Sequence, residues 1–259
     1  EGLVSDVFSN PKVFNKLPGE NAIGHVRYST TGDSNIQNIG PLTFNINNTF
    51  ISIAHNGNLI NINKIRSNLK NSGALFQTTT DTEIIIHLLA KEEGSSLYGR
   101  LKKVLNKIEG AYCLLLITPD TLIAARDPHG IRPFSIGVLN DTTIFSSETC
   151  SLDLLGAKYK RDVHPGEIIE ISNNKIKSEQ FCKPEISKHC IFEYIYFSRP
   201  DSQIFGNNVD KMRRKFGRFL SKEDKSNLGD RVISVPDSSN TSALGYAQES
   251  KIKYEIGLI

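Results

Sequence analysis

The chain has 259 residues, 38% of them hydrophobic and 23% charged, which is the profile of a folded globular protein with room for about 1.7 domains at roughly 150 residues each. The net charge of +3 argues against a strong nucleic-acid or membrane footprint, and no apolar run approaches the roughly 18 residues of a membrane-spanning helix. The first residue is Glu1 and the single Met is Met212, so the chain is expected to be processed or a piece of a longer one, with no secretory leader.

Residues 21–31 (NAIGHVRYSTT) predict a short strand, followed by a loop rich in Gly, Asn, Ser and Asp up to about Gly40. Residues 50–55 (FISIAH) predict a buried strand, and Asn56-Gly57 after it carries a hairpin-turn signal. Residues 61–70 place Ile62, Ile65 and Leu69 at helical spacing, with Asn61 as a candidate cap. Residues 81–91 predict a helix capped by Thr80 or Asp81, and 97–108 predict another. Residues 110–118, 121–126, 134–139, 143–147 and 167–171 predict short strands separated by turns such as Asp127-Pro128-His129-Gly130. Strands, two helices, then many strands point to a layered α+β domain.

The character changes near Ile191. Residues 191–198 (IFEYIYFS) are strongly β-prone, 209–222 place Met212, Phe216, Phe219 and Leu220 on one helical face, and 231–235 predict a strand. The loop Pro236–Ser239, a helix at 241–250 and a strand beginning at 253–259 complete the opening βαβ of a parallel sheet. The four cysteines, Cys113, Cys150, Cys182 and Cys190, show neither zinc spacing nor a disulfide pattern, so a reducing cytosol is the expected compartment.

Four constellations have chemical potential, each beside a plainer structural reading. Arg27 in Gly24-His25-Val26-Arg27-Tyr28-Ser29-Thr30 can present a planar guanidinium to a carboxylate, or be a surface residue on an edge strand. Asn56 and Gly57 in His55-Asn56-Gly57-Asn58 can supply a side-chain amide and a backbone N–H to an oxyanion, or form a simple hairpin turn. Asp81 in Thr78-Thr79-Thr80-Asp81-Thr82-Glu83 can pair a substrate ammonium, or only cap the following helix. The loop Pro236–Ser239 can receive a phosphate at a helix N-terminus, with its hydroxyls toward a metal, or be a capped turn.

In order, the stretches GLVSDVF, IGHVRYSTTG, IAHNGNLIN, TTTDTEI, RDPHGIRP, SSETCSLDLLGA, PGEIIEI, FEYIYFSRPDS and VPDSSNTSALGYA resemble the glutamine phosphoribosylpyrophosphate amidotransferase (amidophosphoribosyltransferase) family from end to end. The related glucosamine-6-phosphate synthases share the HNG and Arg motifs but have Trp after the Arg, where this chain has Tyr28 and no Trp anywhere. The resemblance implies an αββα N-terminal-nucleophile hydrolase (class II glutamine amidotransferase) sandwich over residues 1–190. It implies the start of an α/β type I phosphoribosyltransferase domain over 191–259. Arg27 is implied to hold the glutamine α-carboxylate and Asp81 its α-ammonium, with Asn56 and Gly57 as the oxyanion hole. Ammonia then passes to C1 of phosphoribosylpyrophosphate, giving 5-phosphoribosylamine and pyrophosphate for purine synthesis. Mg²⁺ accompanies that substrate, with Ser239 a ligand, and Cys190 matches one ligand position of the iron–sulfur cluster that some members carry. The family also implies a homo-oligomer, dimer or tetramer, in the cytoplasm.

The family's nucleophile is an N-terminal Cys, whereas residue 1 here is Glu and its surroundings match a stretch well inside the glutaminase domain. The chain is therefore expected to be an internal fragment, inactive alone, of a full enzyme. The alternatives are a non-catalytic glutamine-binding paralogue and a glucosamine-6-phosphate synthase-like amidotransferase.

Overall fold

The computed structural model describes residues 2–27, 36–94, 96–173, 175–183, 185–226 and 229–259. In chain order the elements are α1 (Val4–Val7), β1 (Leu42–Ile46), β2 (Thr49–Leu59), α2 (Ile62–Asn71), α3 (Thr82–Lys91), α4 (Leu97–Leu105), β3 (Gly110–Ile117) and β4 (Thr121–Arg126). They continue with β5 (Ser135–Leu139), β6 (Thr142–Ser146), α5 (Thr149–Leu155), β7 (Lys158–Asp162), β8 (Glu167–Ser172) and β9 (Lys175–Gln180). A π-helical turn (Glu193–Phe197), β10 (Gln203–Ile204), β11 (Asn207–Asn208), α6 (Val209–Glu223) and α7 (Asn240–Ser250) follow. Two compact units result: residues up to Ile131 with His164–Ser187, and Arg132–Val163 with Lys188–Ile259.

The first unit is built on an antiparallel sheet in the order β1-β2-β3-β4-β8-β9. Asn47 and Asn48, both at positive φ, turn β1 into β2, as a two-residue hairpin requires. Ile51, Ile53, Leu114, Leu116, Ile123 and Ile168 bury one apolar layer of the sheet, and Ile85, Leu89, Leu101 and Leu105 from α3 and α4 pack into the same core. Each such side chain, fully buried, contributes about 1.5–3 kcal/mol. α3 is buried almost all round, through Glu83, Ile84, Ile85, Ile86 and Leu89. Ser96 caps α4 by accepting from Gly99 N–H at 3.1 Å.

The second unit carries a three-stranded antiparallel sheet, β6-β5-β7, with α5 ended by Gly156 in the left-handed conformation. A separate apolar cluster forms around Tyr194, Ile204 and Val209. Asn208 caps α6 by accepting from Lys211 N–H at 3.0 Å. α6 and α7 cross at two glycines: a Cβ at Gly217 would stand 1.8 Å from Ser242 O, and one at Gly245 would stand 2.1 Å from Arg214 O. The backbones touch there, and no side chain fits between them.

Several elements differ from expectation. Residues 21–27 form no strand; Ile23, His25 and Arg27 alternate with exposed neighbours but are only half-buried, too little to hold an apolar face against the sheet. Residues 28–31 of that segment, including Tyr28, lie outside the described residues. Asn56-Gly57 is not a hairpin turn: β2 runs straight through it, with Asn56 opposite Cys113 and Gly57 opposite Tyr112. Asn61 does not cap α2 with its side chain; that side chain instead donates to Lys107 O at 2.9 Å and accepts from Glu109 N–H at 3.1 Å.

The β-prone run EYIYF winds into a π-helical turn. Ser198 N–H closes on Glu193 O at 3.0 Å, and the buried Arg213 donates to Tyr194 O and Ser198 O at 2.5 and 2.7 Å. Those tertiary bonds outweigh local propensity. The expected strand at 231–235 contributes a single parallel bridge, Val232 to Tyr254. This bridge spans α7, as a βαβ crossover does.

Candidate functional site

The first unit brings three of the sequence-derived residues to neighbouring positions on β2 and α3. Asp81 stands at the start of α3 and does not cap it. Its carboxylate accepts the backbone N–H of Leu59, at the end of β2, at 2.9 Å. Asp81 is thus tied to the strand that carries Asn56 and Gly57. Reading Asp81 as a helix cap is corrected by this bond.

Gly57 is required by its surroundings. Its φ is +153°, and a Cβ there would lie 2.0 Å from Ala111 O and 2.9 Å from His55 Nε2. Only glycine lets β2 come this close to β3 while leaving the surface beside Asn56 unobstructed. Asn56 and Gly57 are half-buried.

His55 underlies this arrangement and was not singled out for a role from the sequence. It is buried, with Nδ1 3.2 Å from Thr82 Oγ1 and 3.6 Å from Asp81 Oδ1, and Nε2 3.4 Å from Ala111 O. A hydrogen on Nδ1 is directed to the Asp81 carboxylate and the Thr82 hydroxyl. Burial tends to push the Asp81 carboxyl up, but the adjacent His55 and the Leu59 amide outweigh it, and the pKa lies below the ordinary carboxylate range. Asp81 is therefore an anion ready for a cation.

Arg27 is half-buried and acts on the same neighbourhood through His25. The His25 pKa is lowered, first by burial and then by His55 and Arg27. An uncharged His25 leaves Arg27 as the cation of the pair. The signal that would have drawn attention to His25 and His55 is their place inside the two motifs that carry Arg27 and Asn56.

The second candidate site is the loop before α7. Ser239 is at the N-terminus of α7, and its hydroxyl donates to Val235 O. Ser234 donates to Asn240 Oδ1 at 2.6 Å and lies 3.1 Å from the Tyr254 hydroxyl. With its hydrogen engaged, Ser239 Oγ keeps lone pairs for a cation. A single hydroxyl suits Mg²⁺, which takes its remaining ligands from substrate phosphates and water. Cys190 is half-buried, and among the described residues no three His, Cys, Asp or Glu side chains are grouped to hold a metal. An iron–sulfur cluster needs four such ligands, so these residues do not by themselves make that site. No helix among the described residues is long and apolar enough to cross a membrane.

A glutamine amidotransferase domain model matches residues 25–153, the stretch that holds Arg27, Asn56, Gly57 and Asp81. The fold is that of a class II glutamine amidotransferase of the N-terminal-nucleophile type, followed by part of a phosphoribosyltransferase domain. The chain is 44% identical over its whole length to amidophosphoribosyltransferase of Bacillus subtilis, covering 54% of it. It is 43% identical over its whole length to chloroplastic amidophosphoribosyltransferase 2 of Arabidopsis thaliana, covering 46% of that protein.

A solved structure described as the allosteric regulatory enzyme of purine biosynthesis matches at a TM-score of 0.93 and 44% identity, over 100% of this chain and 55% of that one. The Bacillus subtilis glutamine phosphoribosylpyrophosphate amidotransferase, complexed with ADP and GMP, matches at 0.85 and 43%, over 91% of this chain and 51% of that one. The chain is similar to amidophosphoribosyltransferases over its whole length, and it spans about half the length of the curated relatives it matches. This sets aside the glucosamine-6-phosphate synthase-like alternative.

Proposed function

We propose that this chain is the glutamine-binding part, with the opening of the phosphoribosyltransferase part, of a protein that makes 5-phosphoribosylamine from glutamine and phosphoribosylpyrophosphate. Residues 1–190 are read as the glutaminase domain and 191–259 as the start of the transferase domain. The observation that carries the reading is Asp81 held anionic against Leu59 N–H on the strand bearing Asn56 and Gly57. One carboxylate, one guanidinium and a pair of amides are the complement of a glutamine α-ammonium, α-carboxylate and developing oxyanion.

In this reading Arg27 takes the α-carboxylate bidentately and Asp81 the α-ammonium, which fixes the side-chain amide above β2. A cysteine thiolate, supplied as the family's N-terminal residue, attacks the amide carbon. Negative charge develops on the carbonyl oxygen, and the Asn56 side-chain amide and the Gly57 N–H stabilise it. The C–N bond breaks, ammonia leaves with a proton from the cysteine's α-amine, and water later cleaves the thioester to glutamate. Ammonia then displaces pyrophosphate at C1 of phosphoribosylpyrophosphate, whose phosphate lies against the N-terminus of α7. Ser239 would hold Mg²⁺, which would supply charge neutralisation for the diphosphate leaving group when bound. A cytoplasmic location and a homo-oligomeric assembly belong to the same proposal, on the resemblance alone.

The test is Arg27→Lys in the full-length protein. Loss of the bidentate contact should raise the glutamine KM by about tenfold or more, while ammonia-dependent synthesis stays near the original rate. Equal loss of both activities would show that Arg27 holds the fold rather than glutamine.

A further inference from the structure

Asp81 is preceded by residues 77–80, a stretch with no helix or strand. Its backbone polar groups are nevertheless bound one by one to side chains. Glu83 accepts Gln77 N–H on Oε1 at 2.8 Å, and both Thr78 N–H and Thr78 Oγ1–H on Oε2 at 2.7 Å. Thr79 N–H donates to Asn38 Oδ1 at 3.0 Å, and Thr80 N–H to Thr78 Oγ1 at 3.3 Å. From the other side, Arg66 donates to Thr78 O at 3.2 Å and Thr80 O at 2.6 Å, with its guanidinium 4.2 Å above the Phe76 ring.

Glu83 is 0% exposed and sits two residues after Asp81 on the buried part of α3, with His87 Nε2 3.5 Å from its Oε1. A carboxylate is costly to bury, and packing of α3 alone would be served better by an apolar residue. Three donors converge on this one because the loop needs an anionic anchor at that point.

We propose that Glu83 is the positioning residue for the substrate ammonium. Its carboxylate and the Arg66 guanidinium clamp residues 77–80 from opposite sides, and so fix where Asp81 leaves the loop and how its carboxylate meets both Leu59 N–H and a bound α-ammonium. This rests on the glutamine reading of Asp81. Glu83 touches no substrate; it acts through the loop. Loosening the clamp should weaken glutamine recognition and leave the later, ammonia-dependent chemistry alone.

The experiment uses the full-length protein with Glu83→Gln, Thr78→Val and Thr78→Ser. An amide at residue 83 must turn its NH₂ toward one of the backbone donors, and valine removes the single hydroxyl that joins Thr78 to Glu83. Expected are a glutamine KM raised about tenfold or more in Glu83→Gln and several-fold in Thr78→Val. Thr78→Ser, which keeps the hydroxyl, should restore the original KM, and ammonia-dependent synthesis should be preserved in every folded variant. If Glu83→Gln fails to fold, the Thr78 pair decides alone. An unchanged glutamine KM in the valine variant, or parallel loss of both activities, overturns the inference while the unsubstituted protein still uses glutamine. An unsubstituted protein with no glutamine-dependent activity overturns the proposed function, and this inference with it.

Discussion

The two candidate sites are held by different means. In the first unit, His55, Asp81 and the loop before Asp81 are fixed by buried side chains that each meet named backbone groups. In the second unit, the loop before α7 is held by a few hydroxyl bonds and by the seat of the helix itself, where Gly217 and Gly245 let α6 and α7 touch. On the proposed function, the difference suits the ligands. An amino acid presents two opposite point charges, which need separate, aimed partners. A phosphate presents many equivalent oxygens, for which a well-placed helix N-terminus is sufficient.

The sharpest way to break the first arrangement is Gly57→Ala. The added Cβ meets Ala111 O at 2.0 Å, so β2 must part from β3. The expected result is loss of glutamine-dependent turnover together with a stability cost of about 3 kcal/mol or more, read from steady-state rates and a denaturant midpoint. A variant that keeps both would mean that the strands can separate without consequence.

The matching probe of the second arrangement is Gly217→Ala, whose Cβ would press on Ser242 O. It should cost about 1–3 kcal/mol and raise the KM for phosphoribosylpyrophosphate, leaving glutamine hydrolysis intact. Impaired glutamine hydrolysis with an unchanged phosphoribosylpyrophosphate KM would contradict the separation of the two sites.

The smallest expected effect is on pH dependence, and it belongs to the first site. The His25 pKa is lowered by burial and then by His55 and Arg27. The unfolded chain therefore binds a proton that the folded one resists. Stability should decline as pH falls through the ordinary histidine value of about 6.5 toward the lower folded one. Asp81 has the usual acidic sign: its contribution is complete above the unfolded carboxylate value and is lost as pH falls through its depressed folded value. Melting curves between neutral and mildly acidic pH check the histidine part, since His25→Gln should flatten that decline. An identical decline in the variant would assign it elsewhere.

Much of this was legible in the residues. Apolar spacing anticipated α3, α4 and α6 within a few residues, although α6 buries Val209, Arg213 and Gly217 and leaves Phe219 and Leu220 exposed. The motifs picked out Arg27, Asn56, Gly57 and Asp81 as candidates, though not the bond from Leu59 N–H that ties Asp81 to β2. Asn56-Gly57 imitates a hairpin turn because the residues of a tight turn are also those of a close strand approach. EYIYF imitates a strand because its π turn depends on Arg213, far along the chain. β7 (KYKRD) and β9 (KIKSEQ) are largely exposed and polar, so no apolar pattern announces them. Glu83 looked like an ordinary first-turn acid of α3; only its burial and three donors reveal an anchor.

The central claim is that glutamine held by Arg27 and Asp81 supplies the nitrogen for phosphoribosylamine. It is tested most directly by giving the full-length protein glutamine labelled with ¹⁵N in its side-chain amide, together with phosphoribosylpyrophosphate and Mg²⁺. The prediction is ¹⁵N at C1 of the product, with one pyrophosphate and one glutamate released per label transferred. Glutamate formation without pyrophosphate release, or label transferred to a different acceptor, would contradict it.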